Sequence, residues 1–207
     1  TGVQTCALPI WNTGGDRVWI SPEIQFNITD RKNYRETLKQ PSIMDPGYYS
    51  MYRKGKQVIL HQALSLKSYN TVEGEMFFDF KRTIQPAPHP LRKLKNAEEI
   101  CAGLSYAGYE QILDLKCESE QDLLAESWDL LQIRPEGKLY IPMYQTVRGT
   151  DHYEEAGEME TEAGHGICLR ITGKRRYKIA YPSYALTGRF GYLKEVREGE
   201  GYLLIIN

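Results

Sequence analysis

The sequence has few cysteines and no long apolar run, and each absence argues against a class of protein. Four of the 207 residues are cysteine, and Cys6, Cys101, Cys117 and Cys168 form no Cys-x-x-Cys pair. This pattern predicts neither a disulfide framework nor a zinc site. No stretch approaches the roughly 20 consecutive apolar residues of a membrane-spanning helix. We therefore expect no metal site, no cofactor and no membrane span.

An excess of charge of one sign is missing as well. Lys and Arg together number 26 against 27 for Asp and Glu, which gives a formal net charge of −1. A nearly neutral chain without a basic recognition helix or aromatic ribonucleoprotein blocks lacks the features by which proteins bind nucleic acid. Gly14-Gly15 lacks the further glycines and the following helix of a nucleotide-phosphate loop. We therefore expect the protein to bind neither nucleic acid nor a nucleotide phosphate.

Both ends of the sequence look foreign or incomplete. Residues 1–10 resemble the in-frame translation of a sequencing adapter, and we interpret them as an artefact. Residues 201–207 are an apolar, β-rich run without a turn, cap or polar tail. We therefore expect residues 11–207 to be a single fragmentary domain truncated at both ends. The cellular compartment stays open, because any leader would lie upstream.

What the sequence does contain is β-strand signal. Fifteen tyrosines and three tryptophans are present, and aromatic residues favour strands. Only one helix is predicted, after Asn96, with Glu98 and Glu99 in its first turn and Ile100, Cys101 and Leu104 as its apolar positions. The expected fold is an all-β antiparallel sandwich. Its predicted strands are 18–28 (broken at Pro22), 48–52, 57–69, 76–84, 109–118, 126–133, 138–144, 167–172, 175–181, 189–196 and 202–206.

One motif, at positions 14–23, carries most of the functional signal. Its sequence is Gly-Gly-Asp-Arg-Val-Trp-Ile-Ser-Pro-Glu. Glycines let the backbone approach a ligand, and a guanidinium can donate two parallel hydrogen bonds to vicinal hydroxyls or to a carboxylate. Alternation along a strand puts Arg17 and Trp19 on one face. The alternative is that Arg17 pairs with Asp16 or Glu23 and that Trp19 packs in the core. The residues predicted to bind substrate here are Gly14, Gly15, Asp16, Arg17, Trp19 and Glu23.

Three further residues are predicted to contact a ligand. Trp128 and Gln132 lie four apart in a predicted strand and so share a face, where an aromatic ring and an amide suit a pyranose. Trp128 packed into the core is the alternative. Arg189, directly after Gly188, is the third candidate.

The sequence does not identify catalytic residues. Candidate acids and bases are Glu23, Asp45, Glu110, Glu126 and Asp129, and nothing in the sequence shows which two would converge. We interpret His61 as a strand residue with a structural hydrogen bond. The acidic stretch 154–162, flanked by His152 and His165, reads better as a solvated mobile loop than as a cation or substrate lid.

Two local patterns have ordinary alternatives. Period-two alternation splits the basic run 174–178 between two strand faces, so at least one of them is expected to be plain surface. Asn27-Ile-Thr29 fits an N-glycosylation acceptor, a triplet that also arises by chance.

The order and spacing of several blocks resembles the galactose-mutarotase-like superfamily, and more narrowly a bacterial branch of it. These blocks are 14–23, then 127–132 with 137–142, then 173–179 with 188–192. The resemblance implies a β-supersandwich whose concave sheet binds a sugar, in a superfamily of aldose and sugar-phosphate epimerases and of lyase and hydrolase domains. It matches Gly14, Gly15 and Arg17 to a Gly-Gly segment followed by an Arg that approaches the sugar.

The resemblance does not extend to the epimerase's characteristic Asn-His pair, which this sequence lacks. Two hypotheses follow for a protein whose partner is a mono- or oligosaccharide. In the first, the chain is part of a sugar-processing enzyme, epimerase-like or glycoside-processing. In the second, it is a non-catalytic carbohydrate-binding or accessory domain. A bacterial source would be compatible with a periplasmic or secreted location.

Overall fold

The protein is built mainly of antiparallel strands. A computed structural model describes residues 2–5, 15–70, 72–119, 124–152, 154–174 and 177–207. The expected all-β antiparallel class is confirmed. The strands are β1 (Gly2–Thr5), β2 (Gly15–Ser21), β3 (Ser50–Lys54), β4 (Gln57–Ser68), β5 (Gly74–Pro86), β6 (Tyr109–Cys117), β7 (Glu126–Gln132), β8 (Gly137–Pro142), β9 (Thr150–Asp151), β10 (Glu160–Glu162), β11 (Gly166–Ile171), β12 (Tyr177–Ala180), β13 (Phe190–Arg197) and β14 (Glu200–Ile206).

Helices are short. They are α1 (Glu23–Phe26), α2 (Tyr34–Thr37) and α3 (Ala97–Cys101). The predicted helix after Asn96 is α3, which ends before Leu104. The predicted break at Pro22 is confirmed, because β2 ends at Ser21, but the strand predicted after it is wrong, because α1 follows. Proline has no N–H to donate to a strand ladder but is tolerated at the start of a helix. No helix in the described ranges is long and apolar enough to cross a membrane.

The backbone divides into two compact units. Unit 1 comprises residues 1–16 and 131–207, and unit 2 comprises residues 17–130. Each contains its own antiparallel sheets and its own core. That the two together form one domain stays a prediction.

Unit 2 is a two-layer arrangement around an apolar core. A four-stranded sheet in the order β3-β4-β5-β6 forms one layer, and the pair β2-β7 forms the other. Because side chains alternate along a strand, the core takes every second residue of β2, β4 and β5. Its buried members are Val18, Ile20, Phe26, Met44, Leu64, Leu66, Met76, Phe78 and Phe80.

Unit 1 has a five-stranded sheet, β10-β11-β8-β13-β14, and a three-stranded sheet, β1-β12-β9. Its core includes Tyr192, which is fully buried and whose hydroxyl donates to the carbonyl of Arg134. Gly137 permits this packing, since a Cβ there would lie 2.3 Å from the Tyr192 hydroxyl. The backbone of β1 pairs with β12. The adapter interpretation of residues 1–10 stays a prediction, and residues 6–10 lie outside the described ranges.

Asn27 is buried, with 1% of its surface exposed. In the folded protein its amide is inaccessible to a glycosyltransferase, which favours the chance origin of the Asn27-Ile-Thr29 triplet.

Candidate functional site

Most of the opening motif lies in β2, whose residues from Arg17 onward belong to unit 2. Gly14 is outside the described residues. Gly15 begins β2 with a φ of +93°, a backbone conformation that favours glycine. Arg17 and Trp19 alternate with the buried Val18 and Ile20, as the strand pattern predicts.

Arg17 and Trp19 meet at one carboxylate oxygen. Nη1 of Arg17 donates to Oδ2 of Asp45 at 2.9 Å, and Nε1 of Trp19 donates to the same oxygen at 2.8 Å. The side chains of Arg17 and Asp45 are only 13% and 14% exposed. Within the described residues no hydrogen bond reaches Oδ1 of Asp45. Neither pairing considered from the sequence, with Asp16 or with Glu23, accounts for this contact.

The turn that carries Asp45 is held from both sides. Gln40 Nε2 donates to the backbone carbonyl of Asp45, and Gln62 Oε1 accepts the N–H of Tyr48 at 3.0 Å. Gly47 has a φ of +76°, and a Cβ there would lie 2.7 Å from Cε2 of Tyr49 and 2.8 Å from Gln62 Oε1. The carboxylate is therefore positioned by packing that requires glycine.

Trp128 adds a second indole beside the first. The rings of Trp19 and Trp128 are 5.8 Å apart between centroids and 89° apart in orientation, which is an edge-to-face contact. Both side chains are half-buried. They lie on the paired strands β2 and β7.

A second set of polar side chains lies on the inward face of β5 and β6 and reaches β7. Nε and Nη2 of Arg82 donate to Oε1 of Gln111 at 3.0 and 2.5 Å, and Nε2 of Gln111 lies 3.4 Å from Oδ1 of Asp129. Burial raises the pKa of Tyr49, the charge and hydrogen bond of Arg82 oppose that increase, and the charge of Asp45 adds to it. The charges of Arg82 and Asp45 therefore act on the Tyr49 hydroxyl in opposite directions. We call Arg17, Trp19, Asp45, Tyr49, Arg82, Gln111, Trp128 and Asp129 the Asp45 cluster.

Sequence reasoning missed Tyr49, Arg82 and Gln111. A signal was present for Arg82, because the inward positions of β5 read Met76, Phe78, Phe80 and then an arginine. A cation that continues an apolar strand face requires a polar partner. Gln111 follows from the register, which places it opposite Ile84, next to Arg82 across β5 and β6.

The other residues predicted to bind substrate are not part of the Asp45 cluster, and each lies in the element or unit given next. Glu23 is in α1 of unit 2. Asp16 and Gln132 belong to unit 1. Arg189, also in unit 1, is exposed, and its Nε donates to Oδ1 of Asn207 at 2.5 Å.

The acidic stretch 154–162 is solvated only in part: Glu154, Glu155, Glu158 and Glu162 are exposed, and Glu160 is not. Glu160 opens β10 and is 8% exposed. Its Oε1 accepts the hydroxyl of Tyr181 and the backbone N–H of Gly149, both at 3.0 Å. Burial raises the pKa of Tyr181, and the charge of Glu160 raises it further. The prediction is wrong for Glu160, because this one acidic side chain turns into the core of unit 1.

Other polar groups lie in separate places. His61 Nε2 is 2.7 Å from Oδ2 of Asp79, in line with the structural hydrogen bond expected for it. In the basic run, Arg175 and Arg176 are outside the described residues, while Lys174 borders a cavity of about 260 Å³ in unit 1 with Arg170 and Glu158. Across the described chain, no group of three or more His, Cys, Asp or Glu residues could hold a metal ion.

No family model, curated protein or solved structure matches this chain. The galactose-mutarotase-like resemblance therefore stays a prediction. Function has to be argued from the Asp45 cluster itself.

Proposed function

We propose that unit 2 binds a mono- or oligosaccharide at the Asp45 cluster. The observation that carries the proposal is the difference between the two carboxylate oxygens of Asp45. Oδ2 accepts hydrogen bonds from Arg17 and Trp19, while Oδ1 accepts none from the described residues. A sugar hydroxyl can donate to Oδ1 and accept from a guanidinium, so an Asp–Arg pair suits two neighbouring hydroxyls.

The rest of the cluster fits the same ligand class. Trp19 and Trp128 offer indole surface to the apolar C–H faces of a sugar ring. Gln111 both donates and accepts, and Asp129 accepts. Two arginines balance two aspartates, so the charges favour a neutral sugar over a polyanion.

The cluster is also held in place before any ligand arrives. The ion pair fixes the long side chain of Arg17, and the edge-to-face contact fixes Trp19. Binding then costs less conformational entropy, because these groups are already ordered.

Binding is a better fit than catalysis. Hydrolysis requires two carboxyl groups, one protonated and one charged, across the scissile bond. One oxygen of Asp45 accepts hydrogen bonds from a guanidinium and an indole, which favour the charged carboxylate. This arrangement is suited to binding a hydroxyl and not to donating a proton. Asp129 makes a sugar-processing enzyme the second candidate, because it is a further carboxylate in the same cluster.

The test is a thermal-shift and calorimetric screen of neutral and acidic sugars against the chain, its Asp45→Asn variant and a matched Asp114→Asn control. Asp114 bonds Lys81 at 2.8 Å on the opposite face of the sheet. We expect a neutral sugar to stabilise the chain and the control, by roughly 3 kcal/mol at a hundredfold excess over Kd, and Asp45→Asn to lose at least tenfold in affinity. Sugar binding unchanged in Asp45→Asn, or absent from the parent chain, would contradict the proposal.

The enzyme candidate has its own measurement. Any sugar that binds is incubated with the protein, and anomeric exchange and bond cleavage are followed by NMR. Turnover that disappears in Asp129→Asn favours the enzyme, whereas binding without turnover favours an accessory domain.

A further inference from the structure

We propose that Cys101 is a nucleophilic thiol that exchanges with low-molecular-weight disulfides, and that His89 promotes this reaction. Sγ of Cys101, the last residue of α3, lies 3.6 Å from Nε2 of His89. Neither residue belongs to the Asp45 cluster, so this inference does not depend on sugar binding.

The tautomer of His89 follows from its other nitrogen. Nδ1 accepts the backbone N–H of Leu91 at 3.2 Å. A neutral imidazole has one donor and one acceptor nitrogen, so the proton is on Nε2 and faces the sulfur. A hydrogen bond is stronger when its acceptor is charged, and the thiolate is the attacking form of cysteine. His89 therefore stabilises the reactive species.

The imidazole is held before the reaction begins. The ring of Tyr106 packs against it, with centroids 4.6 Å apart. The Tyr106 hydroxyl donates to the carbonyls of Ala87 and Pro88, each at 3.1 Å. Prolines on both sides of His89 restrict the backbone. A donor fixed in this way does not have to be ordered during attack.

Arg92 indicates the charge of the preferred disulfide. Its Nη1 donates to the backbone carbonyl of His89 at 2.9 Å, which places a guanidinium beside the dyad. A disulfide that carries carboxylates, such as glutathione disulfide, gains from this positive charge.

The chemistry is balanced without a further oxidant. The Cys101 thiolate attacks one sulfur of the disulfide, a new S–S bond forms, and the original S–S bond breaks. The departing thiolate takes a proton from water. One disulfide is consumed and one mixed disulfide is formed.

The other free thiols, Cys117 and Cys168, serve as internal comparisons for the reactivity of Cys101. Cys117 is exposed, whereas Cys101 and Cys168 are only partly accessible. Within the described part of the chain, no side chain donates to the sulfur of Cys117 or Cys168. If exposure alone set the rate of disulfide exchange, Cys117 would react fastest. If the hydrogen bond from His89 sets it, Cys101 reacts fastest.

The experiment treats the full chain with glutathione disulfide and quantifies the adduct on each cysteine by peptide mass spectrometry over time. We expect Cys101 to react roughly tenfold faster than Cys117, the ratio that one strong hydrogen bond to a charged sulfur provides. His89→Phe keeps a ring against Tyr106 but has no donor, and should slow Cys101 roughly tenfold. His152→Phe, the same substitution at an exposed position of unit 1, should change nothing.

A second variant guards against a purely structural effect. His89→Gln restores an N–H donor and should return Cys101 to a rate above that of Cys117. The proposal is overturned if Cys117 reacts as fast as Cys101 in the parent chain, or if the Phe and Gln variants react alike.

Discussion

Asp45 in unit 2 and Glu160 in unit 1 are two largely buried carboxylates with different surroundings. Each accepts two donors on a single oxygen. The donors to Asp45 include the guanidinium of Arg17. The donors to Glu160 are a phenol and a backbone N–H, and among the described residues no cation pairs with it.

We propose that this difference separates a ligand-binding carboxylate, Asp45, from a structural one, Glu160. A buried carboxylate with neutral donors is costly and persists where packing enforces it. A carboxylate paired with a cation can keep its other oxygen for a ligand. Burial of an acidic group is therefore insufficient to identify a site, and the identity of its donors is what distinguishes the two.

The largest effect is expected at Gly149, which packs against Glu160 and Tyr181. A Cβ there would lie 2.1 Å from Cγ2 of Ile179 and 3.0 Å from Cε1 of Tyr181. We expect Gly149→Ala to lower the free energy of unfolding by about 3 kcal/mol, because overpacking adds to the weakened hydrogen bond to Glu160. Urea denaturation measures the loss.

Gly191→Ala is the control for that substitution. Its added Cβ would meet only Cδ1 of Leu203, at an ordinary 3.8 Å. We expect a change below about 0.5 kcal/mol. Equal losses in the two variants would show that the surroundings of Glu160 are not specially packed.

The next effect is at the ion pair of unit 2. Arg17→Ala leaves Asp45, which is 14% exposed, with the indole of Trp19 as its remaining side-chain donor. We expect a loss of about 2 kcal/mol in unfolding free energy, because a shielded carboxylate loses its countercharge. Lys81→Ala breaks an exposed pair with Asp114 and should leave the melting temperature unchanged. A loss at Arg17 no larger than at Lys81 would remove the contrast between the pairs.

The sequence predicted the fold class well because the evidence for it is local. Alternating apolar residues and turn signals mark β4, β5 and β8 without reference to the rest of the chain. It failed across Pro22, where the apolar residues Ile24, Phe26 and Ile28 fit a strand but the chain makes a helical turn. Apolar alternation does not report a backbone change that a single proline introduces.

The contacts of the candidate site could be predicted only in part, for the same reason. Arg17 and Trp19 follow from strand alternation, and both take part in the cluster. Their partner Asp45 lies in a different segment and was one of five candidate carboxylates that nothing in the sequence could rank. Glu160 was misjudged because a charge run predicts solvent exposure, and only the tertiary fold turns one member inward.

The smallest effect concerns alkaline pH and again separates the two carboxylates. Burial and the charge of Glu160 raise the pKa of Tyr181, so the folded protein keeps this phenol protonated where the unfolded chain ionises. A raised folded pKa contributes stability that is complete below the unfolded value, about 10 for tyrosine, and is lost as pH rises above it. We expect the free energy of unfolding to fall above pH ~10, with Tyr181 contributing up to about 1.4 kcal/mol per pH unit.

Tyr181→Phe should remove that part of the slope, measured by urea denaturation between pH ~9 and ~11. Tyr49→Phe should remove less, although burial also raises the pKa of Tyr49, because the positive charge of Arg82 opposes the increase there. The changes in the pH dependence of the unfolding free energy in the two variants therefore indicate whether a cation lies near each phenol. Equal slopes in both variants would contradict the opposing effect of Arg82 on Tyr49, and the distinction between the two carboxylates would then rest on Arg17 alone.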